Sequence, residues 1–292
     1  MTLHLLEIFL AVCRTLSMTG AADLLGMTQP AVSRAISDLE AYYGTALFER
    51  IGRKLYLTAA GSTLREYASS ILSECEDVRK LLREESFPSS CRLGATVMAA
   101  DTVLTDLCLY LQKEIPGIRL QVSVFNASVI ADMLRHNECD MALTDRIDDP
   151  AFVSEPFMKQ SLSFYVSDAL YAQREITADQ LIRQQLLLRE NGSGASAVVT
   201  PFLKASGCAL SSCWRCAGND LLYELAEAGM GFAFLPDAYV RRRKSFVLHR
   251  VAVDDTAFER VVYLVRLNQK YLTRQLRACY EKIHAFSSLK KA

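Results

Sequence analysis

No apolar run in this sequence approaches the ~18 residues that a membrane-spanning helix needs, so no such helix is expected. The N-terminus, Met1-Thr2-Leu3-His4-Leu5-Leu6-Glu7, has no basic leader and carries an acid early. It does not read as a secretory signal, and a cytoplasmic location is the expectation. Net charge is missing as well: 33 Lys and Arg balance 33 Asp and Glu. A neutral chain argues weakly against indiscriminate nucleic-acid binding, which usually rests on a basic excess. Any basic patch must therefore be local. The four histidines, His4, His136, His249 and His284, are dispersed, and none stands near a plausible nucleophile or ligand pair. Gly192-Ser193-Gly194 lacks the G-x-S-x-G spacing of a nucleophile elbow. No catalytic centre is expected.

Cysteine, by contrast, is plentiful. Nine are scattered singly, at Cys13, Cys75, Cys91, Cys108, Cys139, Cys208, Cys213, Cys216 and Cys279. In a chain without a secretory signal they read as buried thiols acting as small hydrophobes. Cys213-x-x-Cys216 has no second pair at zinc spacing, so neither a metal nor a cofactor is expected. Apolar residues make up 51% of the 292 positions, enough for two or three compact units with sizeable cores.

The first 58 residues carry the sharpest pattern. Leu5, Leu6, Ile8, Phe9 and Val12 repeat at helical spacing, which predicts an amphipathic helix over 3–14. Ser17 is a candidate N-cap for a short second helix through Leu25, with Ala21, Ala22 and Leu25 inward. Gly26-Met27 breaks it. Thr28 then caps a third helix with Gln29 at its first position and Pro30 still in the first turn, where a missing N–H is harmless. Val32, Ile36 and Leu39 form its apolar stripe, and Gly44 closes it. Gln29, Ser33, Arg34 and Ser37 fall on the opposite side.

A short helix, a tight turn and a helix with an exposed polar start make a helix-turn-helix. The residue types suit base reading. Gln bonds adenine, Arg bonds guanine, and Ser or a helix N-terminus holds phosphate. The run from Leu47 to Thr58 predicts a hairpin turning at Gly52, its tip carrying Arg50, Arg53 and Lys54. Alone, those three cations are a solvated tip. Directly after a helix-turn-helix they form a wing for a minor groove or for phosphates.

The run from Ala21 to Glu40, its continuation Gly44-Thr45-Ala46-Leu47-Phe48-Glu49-Arg50, and Leu57-Thr58-Ala59-Ala60-Gly61 resemble, without gaps, the signature of LysR-type transcriptional regulators. Departures are small: Thr28 stands where the family often has Ser, and Tyr43 replaces a common aliphatic.

Beyond Thr58 the chain has no Pro to about Glu85. Leu64, Ala68, Ile71, Cys75, Val78 and Leu82 alternate at spacings of four and three, an a/d pattern over nearly three heptads. Such a helix packs either on its own protein or on a partner helix, and the pattern alone leaves both open. The resemblance implies the second, a homodimer or homotetramer whose paired recognition helices match an operator with dyad symmetry. Ala68 and Cys75 are small for such a seam. Ser86-Phe87-Pro88-Ser89-Ser90 is a hinge by composition.

The remaining chain alternates strand-like and helix-like segments in two series, which argues for parallel sheets. Arg92-Leu93-Gly94, Glu138 to Leu143, the Gly192-Ser193-Gly194 loop and Ala228 to Pro236 resemble, more loosely, the effector domain of the same family. Asn137 stands where the family usually has Gly. The implied fold class is α/β: an N-terminal winged helix-turn-helix, a long linker helix, and a two-lobed α/β effector domain similar to periplasmic binding proteins. The implied domains are 1–58 for DNA binding, 59–87 for the linker helix and hinge, and 88–292 for the effector. Lobe I covers about 88–162 and 266–292, and lobe II about 163–265.

By the same resemblance a cleft between the lobes binds a small-molecule effector. Thr96, Val97, Met98 and Thr102 would line it after the first strand, and Asn126 and Ser128 after the second. Asn191, Ser193, Ser196 and Phe232 would come from the opposite lobe. Hydroxyls and helix-start N–H groups suit anions, although any one hydroxyl serves equally as an N-cap. The expected DNA contacts are Thr28, Gln29, Pro30, Ser33, Arg34, Ser37, Arg50, Arg53 and Lys54. The implied partners are double-stranded DNA, the effector, a second copy of the chain and RNA polymerase, with no membrane. The alternatives are a small-molecule-binding protein without DNA function and a redox-responsive regulator using its cysteines.

Overall fold

The computed structural model describes residues 2–52, 54–83, 90–244 and 246–289; the side chains of 77, 80–83 and 289 also lie outside the description. Arg53, most of the expected hinge and the side chain of Leu82 therefore lie outside the described residues. The chain divides into two compact units, one over 1–87 with 135–138 and one over the remainder.

In the first unit, α1 (Leu3–Thr15), α2 (Met18–Leu25) and α3 (Gln29–Tyr43) follow one another closely. Ser17 caps α2 by accepting from the Gly20 N–H. Gly26 and Gly44 close α2 and α3 at φ +64° and +67°, the left-handed conformation that glycine adopts freely. Thr28 stands at the N-cap of α3, but its hydroxyl makes no capping bond. Leu6, Phe9, Val12, Ala21, Val32 and Leu39 are buried together. The small Ala21 and Ala22 permit the close helix approach that the sequence predicts. The hairpin is β1 (Phe48–Ile51) against β2 (Lys54–Leu57), antiparallel.

The long helix α4 (Ala59–Arg83) starts at Thr58, whose hydroxyl accepts from the Gly61 N–H and donates to the Ala46 carbonyl. Its apolar face splits. Ala68 is fully buried and Leu64 and Leu72 pack partly into the core of the first unit, whereas Ile71, Cys75 and Val78 are exposed.

In the second unit, β3 (Ser90–Thr96) pairs in parallel with β4 (Arg119–Phe125) and with β5 (Met141–Thr144). A helical stretch over 97–114, with a π turn at Ala100–Leu104, and then α5 (Ala127–Arg135) connect them. The long β6 (Phe152–Ser167) leaves this lobe and enters the next. There it meets β7 (Glu175–Ile176), α6 (Ala178–Leu181), β8 (Leu186–Arg189), α7 (Gly194–Ala205) and β9 (Trp214–Cys216). After these come α8 (Asn219–Glu227), β10 (Phe232–Pro236), α9 (Asp237–Arg243) and β11 (Leu248–Val253). The chain returns through β12 (Phe258–Leu267) to α10 (Arg274–Leu289).

The sheet order is β4-β3-β5-β12-β6-β10-β8-β9. Its two ends are parallel, while β6 and β12 run antiparallel through the middle and belong to both lobes. Two cores result. Leu93, Leu107, Met141, Phe157 and Ile283 fill lobe I. Phe164, Leu188, Leu203, Phe234 and Phe258 fill lobe II.

The sequence reading placed the second crossing near 265. It lies earlier: Tyr263, Leu264 and Val265 pair with β5, so they belong to lobe I. Asn137 sits at φ +56°, a left-handed conformation that Asn is among the few non-glycine residues to tolerate.

Candidate functional sites

On α3 of the first unit, the apolar stripe fixes which side faces out. Thr28, Gln29, Pro30, Arg34 and Ser37 are exposed and Ser33 is half-buried. Gln29 Nε2 donates to Ser33 Oγ at 2.6 Å, so two of these side chains are held in one arrangement. Arg34 forms no ion pair among the described residues. Arg50 and Lys54 project from the two strands of the hairpin, both exposed. Glu40 ties the hairpin to α3: its Oε1 accepts from the Leu47 N–H at 2.7 Å and the Phe48 N–H at 3.2 Å. Glu40 thereby joins α3 to the hairpin.

In the second unit a narrow cleft opens between the lobes, with a cavity volume of about 20 Å³. Thr96, Val97, Met98 and Asn126 line it from lobe I, and Ser193 and Gly194 from lobe II. Asn191, Ser193 and Ser196 line an adjoining hollow. Ser193 caps α7 by accepting from the Ser196 N–H at 3.2 Å, and Asn126 caps α5 by accepting from the Val129 N–H and the Ser128 hydroxyl.

Two regions of the chain match family models. Residues 3–62 match the bacterial regulatory helix-turn-helix of the LysR family, and residues 85–287 match the LysR substrate binding domain. The chain belongs to the LysR family of transcriptional regulators.

Among its relatives is the CbbR regulator of Rhodospirillum rubrum, 31% identical over 80% of this chain and 78% of that one. CmpR, a transcriptional activator of Synechocystis, is 27% identical over 80% of this chain and 78% of that one. Solved structures share the fold. Full-length OxyR from Pseudomonas aeruginosa superposes with a TM-score of 0.71 at 18% identity, covering 97% of this chain and 94% of that one. CbnR complexed with its target DNA gives 0.65 at 19%, covering 98% and 99%. LysR regulators are not enzymes.

Within this LysR chain the effector residues expected from sequence divide. Thr96, Val97, Met98, Asn126 and Ser193 meet at the cleft. Two expectations need correction. Phe232 is fully buried in the lobe II core, with its ring against Tyr171, so it presents nothing to the cleft. Thr102 is buried on the π turn, and its hydroxyl donates to the Met98 carbonyl at 2.7 Å and accepts from Gln160. Among the seam residues, Ala68 is also corrected: its burial in its own unit removes it from any partner's reach.

The cleft also holds charges that sequence reasoning missed: Arg189, Glu190, Arg260 and Asp145. A signal for Arg260 existed. Along β12 the buried positions alternate as Phe258, Arg260 and Val262, so a cation occupies the inward parity. Cys213-x-x-Cys216 is not a pair either: both thiols are free, and the Cys213 thiol is hydrogen-bonded with that of Cys208. Burial, with Cys208 beside it, pushes the Cys213 thiol up to about 11, away from a reactive thiolate.

Proposed function

We propose that this LysR regulator binds operator DNA as a homo-oligomer and that a small molecule in the inter-lobe cleft modulates the binding. In this reading Gln29, Ser33 and Arg34 enter the major groove, with Pro30 and Ser37 flanking them. Thr28 and the start of α3 hold phosphate. Arg50, Arg53 and Lys54 grip the adjacent backbone or minor groove. The observation that carries the reading is the exposed polar start of α3, with Arg34 in no ion pair among the described residues, on a helix that Glu40 ties to the basic hairpin.

Ile71, Cys75 and Val78 leave an apolar stripe exposed on α4, which supports pairing with a second copy. No helix among the described residues is long and apolar enough to cross a membrane. A cytoplasmic regulator that also meets RNA polymerase fits the family reading. Effector binding selects one arrangement of the lobes and so changes half-site spacing or DNA bend. A gel-shift with the DNA upstream of the gene tests the reading. The wild-type chain retards a specific segment and Arg34→Ala does not; if no segment is retarded, the reading fails.

A further inference from the structure

Arg260 is 92% buried, since only 8% of its surface reaches solvent, yet its guanidinium is poorly satisfied. Nη2 donates to Asp145 Oδ1 at 2.6 Å. Among the described residues Nη1 has only the Met98 sulfur, a weak acceptor, at 3.2 Å. Nε has no partner. Thr96, which lines the same cleft, is also buried, and its hydroxyl is likewise without a partner among the described residues. Gly194, the first residue of α7, lets the guanidinium lie against the start of that helix, where a Cβ would collide with it.

The other cleft cation, Arg189, differs. Both Glu190 oxygens bind it, at 2.7 and 2.8 Å, and Asn219 takes a third N–H at 3.2 Å. One under-satisfied buried guanidinium, one unpartnered hydroxyl and one helix N-terminus thus line the same cleft, from both of its lobes. That combination suits an oxyanion.

Asp145 is the complication. The cleft's two cations and two anions already balance, so a further anion beside Asp145 would meet a like charge. The Asp145 side chain is 39% exposed, whereas that of Arg260 is 6% exposed. Asp145 can swing to water; Arg260 stays.

We propose that the cleft takes a small oxyanion, a carboxylate or phosphate group, on Arg260, and that Asp145 is the protein's own anion holding that place until the ligand displaces it. This rests on the effector-cleft reading above and names its ligand class.

The test is a set of thermal melts of the full-length protein at fixed ionic strength, with chloride replaced by inorganic phosphate or by acetate. One of the two anions raises the wild-type Tm, and which one does so separates phosphate from carboxylate ligands. The rise is larger in Asp145→Asn, whose apparent affinity is about tenfold tighter, and absent in Arg260→Gln. Parallel shifts in all three proteins, or no shift in any, overturn the proposal. Should Asp145→Asn fail to fold, calorimetric titration of wild type against Arg260→Gln decides, and equal affinities overturn it. A neutral metabolite that binds both proteins alike would overturn the anion class while leaving the effector-cleft reading intact.

Discussion

Arg34 and Lys54 are both exposed cations of the first unit, but their removal should have different consequences. Arg34 projects from the recognition helix, where a guanidinium can bond a guanine edge. Arg34→Ala should lose ~1–3 kcal/mol on the specific site and much less on random DNA. Lys54 sits on the hairpin, where the proposal has it meet phosphate. Lys54→Ala should weaken all sequences alike and reduce the salt slope of log K by about one. Titrations on specific and scrambled duplexes at several salt concentrations separate the two.

A third residue, Asp140, concerns stability. Burial alone would raise its carboxyl, but the Arg92 hydrogen bond and the Lys270 and Arg92 charges hold it below the usual carboxylate range. Nη2 of Arg92 approaches at 2.6 Å and Nζ of Lys270 at 3.1 Å. Asp140→Asn leaves two partly or wholly buried cations short of their anion and should cost about 3–5 kcal/mol at neutral pH. The depressed value means that this contribution is full above the unfolded pKa of ~3.9 and fades as pH falls through the folded value. The melts of the two proteins should therefore begin to converge as pH falls below about 4 and meet only below the folded value.

At the level of elements, α4 carries two tests. Ala68 is buried in its own unit, so Ala68→Leu overpacks that core and should destabilise the chain by ~1–3 kcal/mol in urea melts. Val78 is 52% exposed. Val78→Lys should leave the melt nearly unchanged but shift sedimentation from dimer toward monomer. Unaltered sedimentation would remove α4 from the dimer contact.

The helical periodicity did show that α4 has one apolar side. It did not show that this side splits, because packing against α1 depends on where that helix lies. Similarly, capping residues and glycines placed α1 to α3 and the hairpin almost residue by residue, since local chemistry fixes those ends. By contrast, α9 and β11 went unseen. The place of β11 is set by pairing with β6, far away in sequence.

At the scale of the whole molecule, the two sites differed in legibility for the same reason. The DNA face lies within one helix and one hairpin, so its residues are neighbours in sequence. The cleft joins β3, the loop before α7, and β12. Arg260 and Asp145 meet across 115 positions. Hydroxyls at helix starts were visible; a cation on the inward parity of a late strand was passed over.

Neutral overall charge also finds its place here. The chain has no basic surplus, so affinity for DNA has to come from the local face and wing, and specificity should be high relative to non-specific binding. The most direct measurement is a footprinting titration of the full-length protein on the DNA upstream of its gene, comparing wild type with Arg34→Ala. The account predicts two protected half-sites of dyad symmetry about one helical turn apart or a multiple of it, lost in Arg34→Ala while weak non-specific retention persists. Protection that is absent, or identical in both proteins, would contradict it.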